Sequence, residues 1–163
     1  QTFVMSNISL ALLLFVMTTV TSNAQCNRKV NWHSAKAELL DEWGQVIDTD
    51  DESVLLVTGK STITFSSKSQ PNQSLEGVIK ESNCNWKEAF KTGKTVYKAE
   101  LHNTSSGKSS KGTITIEARD GKATILMEMN EMQGRKVCLV IDKYEEADND
   151  LPIPRSIIDL NRI

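Results

Sequence analysis

Two histidines, three cysteines, a methionine cluster and one acidic run are the residues here whose types could do chemistry. His33 or His102 could act as a general base, but a base needs a nucleophile or metal within hydrogen-bond reach, and neither stands in a ligand or triad spacing. The patterns H-E-x-x-H, C-x-x-C and G-x-S-x-G do not occur. His102 falls at a strand end beside Asn103, where an exposed or capping role is the ordinary one. Gly107-Lys108-Ser109 imitates the end of a phosphate-binding loop, yet His102 stands where that loop's first glycine belongs.

Asp48, Asp50, Asp51 and Glu52 could gather around calcium, but Ser53 occupies the place of the EF-hand glycine, so the run reads as a solvated acidic loop. Met127, Met129 and Met132 are thioethers of the kind that hold Cu(I) beside a histidine. Ile125 shares the face of Met127 and Met129, which favours core packing over a copper site. No catalytic residue, metal ligand or cofactor is assigned.

Three cysteines allow one disulfide and one free thiol. The first pairing considered is Cys84 with Cys138, which ties mid-chain to the last regular strand; the alternative is Cys26 with Cys84, which fastens the amino-terminal side. Cys138, between Val137 and Leu139, also reads as a small buried hydrophobe.

The compartment is set by the first residues. An apolar run from Ile8 to Val20 is followed by Thr21-Ser22-Asn23-Ala24, and the first charge is Arg28. A short apolar segment ending in small residues reads as a secretory signal peptide over 1–24, cut after Ala24. It is shorter than the roughly 20 apolar residues of a membrane span. The flank before it lacks the usual Lys or Arg. Gln25, before Cys26, is a poor match to a lipidation site, which argues against a lipid anchor there. The chain then continues as a single domain over 25–146 and an acidic, proline-containing tail over 147–163, secreted or periplasmic, with no transmembrane segment after processing. Net charge is −2 with 19 basic and 21 acidic residues. No basic stripe matches a phosphate backbone, so nucleic acid is not an expected partner.

The elements that would position these groups are strands. Tyr97, Ala99 and Leu101 alternate with polar residues, as do Ile114, Ile116 and Ala118, then Ala123 to Met129, then Val137, Leu139 and Ile141. Period two with one apolar face marks half-buried strands. Asp120-Gly121 suits a type I′ hairpin. Leu126, Cys138 and Val140 break the polar side, which suggests partial cover of the second face. Upstream, Val30 and Trp32 sit in a first strand, Ser53–Thr58 and Ser61–Ser66 form a hairpin about Gly59-Lys60, and Leu75–Lys80 is a further strand. Asn85 and Glu88 frame a capping box, with Trp86 and Phe90 at helical spacing and Gly93 as a stop, so one short helix is expected there.

The fold class that follows is all-β: seven or eight antiparallel strands in a meander-rich barrel or sandwich, with one short helix. Its outline resembles that of lipocalin-like exported proteins. None of that family's motif residues occurs, so the resemblance is architectural and transfers no binding residue. The leading expectation is a non-enzymatic domain holding a small apolar ligand in a cavity, with Trp86, Phe90, Met127 and Met129 as candidate contacts. The second is a solid-cored structural or protein-interaction domain with an extracytoplasmic partner, and the third a weak hydrolase using a histidine and a carboxylate.

Overall fold

The computed structural model describes residues 26–147 apart from position 71. The expected signal peptide and the tail beyond position 147 lie outside the described residues. Nine strands follow in order: β1 (Lys29–Leu40), β2 (Val46–Asp50), β3 (Val54–Thr58), β4 (Thr62–Ser67), β5 (Ser74–Glu88), β6 (Thr92–Asn103), β7 (Ser109–Arg119), β8 (Lys122–Met129) and β9 (Lys136–Ala147). A 3-10 turn at Asn130–Met132 leads from β8 to β9.

Eight strands close into an antiparallel barrel, because β3 to β9 each pair with the next and β9 returns to β1 along its length. Closure leaves no free edge around that ring. The ninth strand, β2, pairs with Ala37–Leu40 of β1, whereas β3 pairs with Val30–Ser34 on the same edge of β1. The β1–β2 hairpin therefore lengthens one wall at one end of the barrel. At the other end, Glu81–Glu88 of β5 pairs with β6 alone, since β4 stops opposite Val78.

Alternation does the sorting. Val30, Trp32, Leu56, Ile63, Tyr97, Leu101, Ile114, Ile116 and Ile125 point inward and are buried. Full burial of each such side chain is worth about 1.5–3 kcal/mol. Two inward glycines make room for Leu101: a Cβ on Gly77 would lie 2.6 Å from one of its methyls, and one on Gly112 2.9 Å from the other. Where β1 bulges between Ser34 and Ala37, the buried Ser34 hydroxyl lies 2.6 Å from the Lys36 carbonyl and 2.8 Å from that of Val140. The bulge thus leaves that side chain satisfied.

The four strands expected between Tyr97 and Ile141 are β6 to β9, and Asp120 and Gly121 both take positive φ (51° and 77°) at the turn between β7 and β8. Three expectations are corrected. No helix forms from Asn85 to Gly93: Cys84 and Trp86 lie on the inner side of β5, and the chain reverses at Phe90, whose φ is +52°. A two-turn helix is marginal by itself, and the long β5–β6 pairing outweighs it. Gly93 is there for close approach, since a Cβ would stand 2.4 Å from the Asn85 carbonyl oxygen. The acidic stretch from Asp48 is partly strand, because Asp48 and Asp50 sit in β2 opposite Leu39 and Ala37. Finally, among the described residues no second layer covers the outer face at β8–β9. Leu126 and Cys138 face each other across the strands, half-buried by their own pairing, and Val140 is 46% exposed.

Candidate functional site

The two ends of the barrel differ. One is stopped by aromatic rings: Phe90 packs edge-on against Trp32 (centroids 5.4 Å apart) and Trp86 (5.6 Å), and Tyr144 lies 5.4 Å from Phe90 and 5.5 Å from Trp32. Both buried indoles find a partner for their N–H, Trp32 donating to Thr58 Oγ1 at 3.2 Å and Trp86 to Thr95 Oγ1 at 2.7 Å. Rings of this size can be buried because the indole N–H is not left unpaired. Burial pushes the Tyr97 phenol up from its ordinary pKa, partly offset by a hydrogen bond to Thr58.

A disulfide fastens this end. Cys26 is bonded to Cys84 across a sequence separation of 58, which joins the segment before β1 to the part of β5 that extends past β4. The Cys84–Cys138 pairing is thereby corrected. Cys138 is a free thiol on the outer side of β9, opposite Leu126 and Glu38, whereas Cys84 lies on the inner side of β5, beside Thr95. Burial, and then the nearby Glu38 carboxylate, push the Cys138 thiol up from its ordinary pKa. The disulfide also occupies the sulfur that a lipid anchor at Cys26 would need.

The opposite end is open. A cavity of about 250 Å³ enters the barrel there between the ends of β1, β3, β4, β5, β6, β8 and β9. Its apolar wall is Val54, Phe65, Leu75, Met127, Val137 and Leu139, with Ala37 beside them. Its rim is polar, with Glu52, Ser67, Gln70, Gln73, Ser74 and Asn103. The Ser/Gln-rich β4–β5 connection supplies much of this rim. It is tied down on two sides: the Lys68 N–H donates to the Ser53 carbonyl at 3.1 Å, and the Thr104 hydroxyl donates to the Ser74 carbonyl at 3.0 Å. Asn103 is held in turn as an acceptor for the N–H groups of Ser105 (3.0 Å) and Ser106 (2.9 Å). Small-molecule sites commonly combine apolar walls with a few placed polar groups.

No family model, curated protein or solved structure matches this chain. The site therefore rests on its own geometry.

Of the four candidate contacts, Met127 lines the cup. Met129 packs against the core without lining the cup, and Trp86 and Phe90 belong to the aromatic stopper at the far end. Phe65, Leu75, Val54 and Glu52 were missed. Their inward alternation is visible in the sequence for Val54, Phe65 and Leu75, but nothing in the pattern says which end of the barrel stays open. The histidines are apart from the cup. His102 sits on the outer side of β6 with Nδ1 3.2 Å from Ser109 Oγ, and His33 Nε2 is 4.0 Å from a Glu145 oxygen. Among the described residues, no carboxylate contacts the His102 ring to complete a triad.

Proposed function

We propose that this protein is a non-enzymatic carrier or sensor domain, exported from the cytoplasm, that binds a small apolar molecule in the open end of its barrel. The observation that carries this reading is the asymmetry of the two ends: one stopped by four rings and a disulfide, the other an apolar cup of about 250 Å³. That volume is just below the roughly 300–1,000 Å³ of ordinary ligand sites, so the ligand is compact or inserts only its apolar part. The Cys26–Cys84 bond is compatible with an oxidising, extracytoplasmic setting. Among the described residues no helix is long and apolar enough to cross a membrane.

The test is uptake of N-phenyl-1-naphthylamine, a neutral dye that brightens in apolar surroundings. Saturable brightening is expected. Val54→Trp, which puts an indole at the cup mouth, should weaken uptake at least about tenfold while costing about 1–3 kcal/mol of stability through overpacking. Uptake unchanged in a folded Val54→Trp variant would place the dye elsewhere and defeat the reading.

One observation favours a second reading, a protein-interaction domain. Trp43 at the β1–β2 hairpin tip is 77% exposed, with Val46 at 52% and Ile47 at 53% nearby. Single exposed apolar residues are ordinary, but three on one hairpin approach a contact patch. A folded protein that takes up no dye would favour it.

A further inference from the structure

The cup's charge says which ligands it admits. Among the residues that line it, Glu52 is the one ionisable group, and no Lys, Arg or His is among them. Glu52 is also fixed in place. Both the Ser67 and Ser69 hydroxyls donate to its Oε1, while Oε2 has no hydrogen-bond partner among the described residues. The two serines therefore orient the carboxylate at the lip and leave one oxygen available.

A smaller groove of about 100 Å³ adjoins the cup, sharing Ala37 and Val137 with it. Its polar lining includes Glu38, Asp48 and Asp50, again with no basic side chain. Glu38 is matched by Lys36 at 2.7 Å, and among the described residues the Asp48 carboxylate accepts only from the Thr49 N–H at 2.9 Å. Asp50 has no ion-pair partner among the described residues. Lys136, the basic residue at the start of β9, is taken by Glu128 at 2.6 Å. The residues that line the two hollows thus carry carboxylates and no basic side chain.

Resting on the carrier reading above, we infer that the cup selects amphiphiles with a cationic head, and rejects carboxylate-headed molecules of the same chain length. An anionic head seated at the lip would lose water against like charge with no cation to replace it. A cationic head meets the free Glu52 oxygen, and its apolar part enters the cup. At the roughly 30 Å³ that one water occupies in the liquid, the cavity has room for about eight water-sized groups, which is the scale of an octyl chain.

The experiment titrates the wild-type protein with octylammonium, octanol and octanoate, reading displacement of N-phenyl-1-naphthylamine. Octylammonium is expected to bind at least about tenfold more tightly than octanoate, with octanol between them. Raising the salt should weaken octylammonium and leave octanol nearly unchanged. Glu52→Gln, checked for folding by circular dichroism, should narrow the gap between the two ions to about threefold or less. Octanoate binding as tightly as octylammonium, with octanol also bound, would overturn the charge selection and leave the carrier reading standing. A gap indifferent to both salt and Glu52→Gln would likewise overturn it. Failure of all three to displace a dye whose uptake Val54→Trp weakens would overturn this inference alone, whereas failure of the dye itself to bind would remove the carrier reading and this inference with it.

Discussion

Breaking the Cys26–Cys84 bond, with reductant or by Cys26→Ser, should lower the unfolding free energy by about 4 kcal/mol, the chain-entropy value for a loop of this size. The loop spans a separation of 58 and encloses β1 through most of β5. Without it the segment before β1 loses its covalent tie to β5, and the Glu81–Glu88 part of β5 loses the covalent anchor it has in addition to its pairing with β6. Set against the roughly 5–15 kcal/mol of a whole domain, the loss would be a large share of the total. Urea midpoints with and without reductant measure it. Cys138→Ser is the control and should leave the reductant effect in place, because Cys138 is not in the bond. A reductant effect below about 1 kcal/mol would mean that the bridge constrains little.

Trp32→Ala should cost about 3–5 kcal/mol, the range for truncating a buried large aromatic. Trp32 is 2% exposed, touches Phe90 and Tyr144 ring to ring, and donates to Thr58. Its removal opens a cavity at the centre of the stopper. Trp32→Phe keeps much of the volume and loses the indole hydrogen bond, so a smaller cost, about 1–3 kcal/mol, is expected. By contrast, Trp43→Ala should lie within about 0.5 kcal/mol of wild type, since that ring is 77% exposed. Chemical denaturation of the three variants decides the matter. Equal costs for Trp32→Ala and Trp43→Ala would refute the assignment of the stopper.

The sequence made the strands legible wherever one face is apolar and the other polar, as from Tyr97 to Ile141, and it made the β7–β8 turn legible through Asp120-Gly121. The β5–β6 hairpin was hidden for a definite reason. Asn85, Glu88 and the Trp86/Phe90 spacing satisfy the local rules of a helix start, while the pairing that overrides them lies with Thr92–Lys98 on β6 and cannot be seen in a local window. Barrel and sandwich could not be separated because the deciding contact, β1 with β9, joins the two ends of the domain. Met127 was legible as an inward residue and turned out to face the cup. Glu52 was read as part of a solvated run, because its orientation depends on Ser67 and Ser69 from another strand and loop. The open end of the barrel follows from which hairpin ends carry bulky rings and which carry Ser and Gln, a tertiary fact.

The β1–β9 pairing also bears on how the domain comes together. Apart from β1–β3, which spans the short β2, every other seam of the barrel joins strands consecutive in the chain, so those seams close small loops at low entropic cost. The β1–β9 seam alone waits for the whole circuit of the chain, which makes it the step that raises the contact order and slows folding. Without that seam β1 and β9 would each keep an unpaired edge, and the cup, which takes Ala37 from β1 and Val137 and Leu139 from β9, would be incomplete. On the carrier reading proposed above, an apolar ligand would bind only the finished ring and so would stabilise the closed barrel over any form with that seam unpaired.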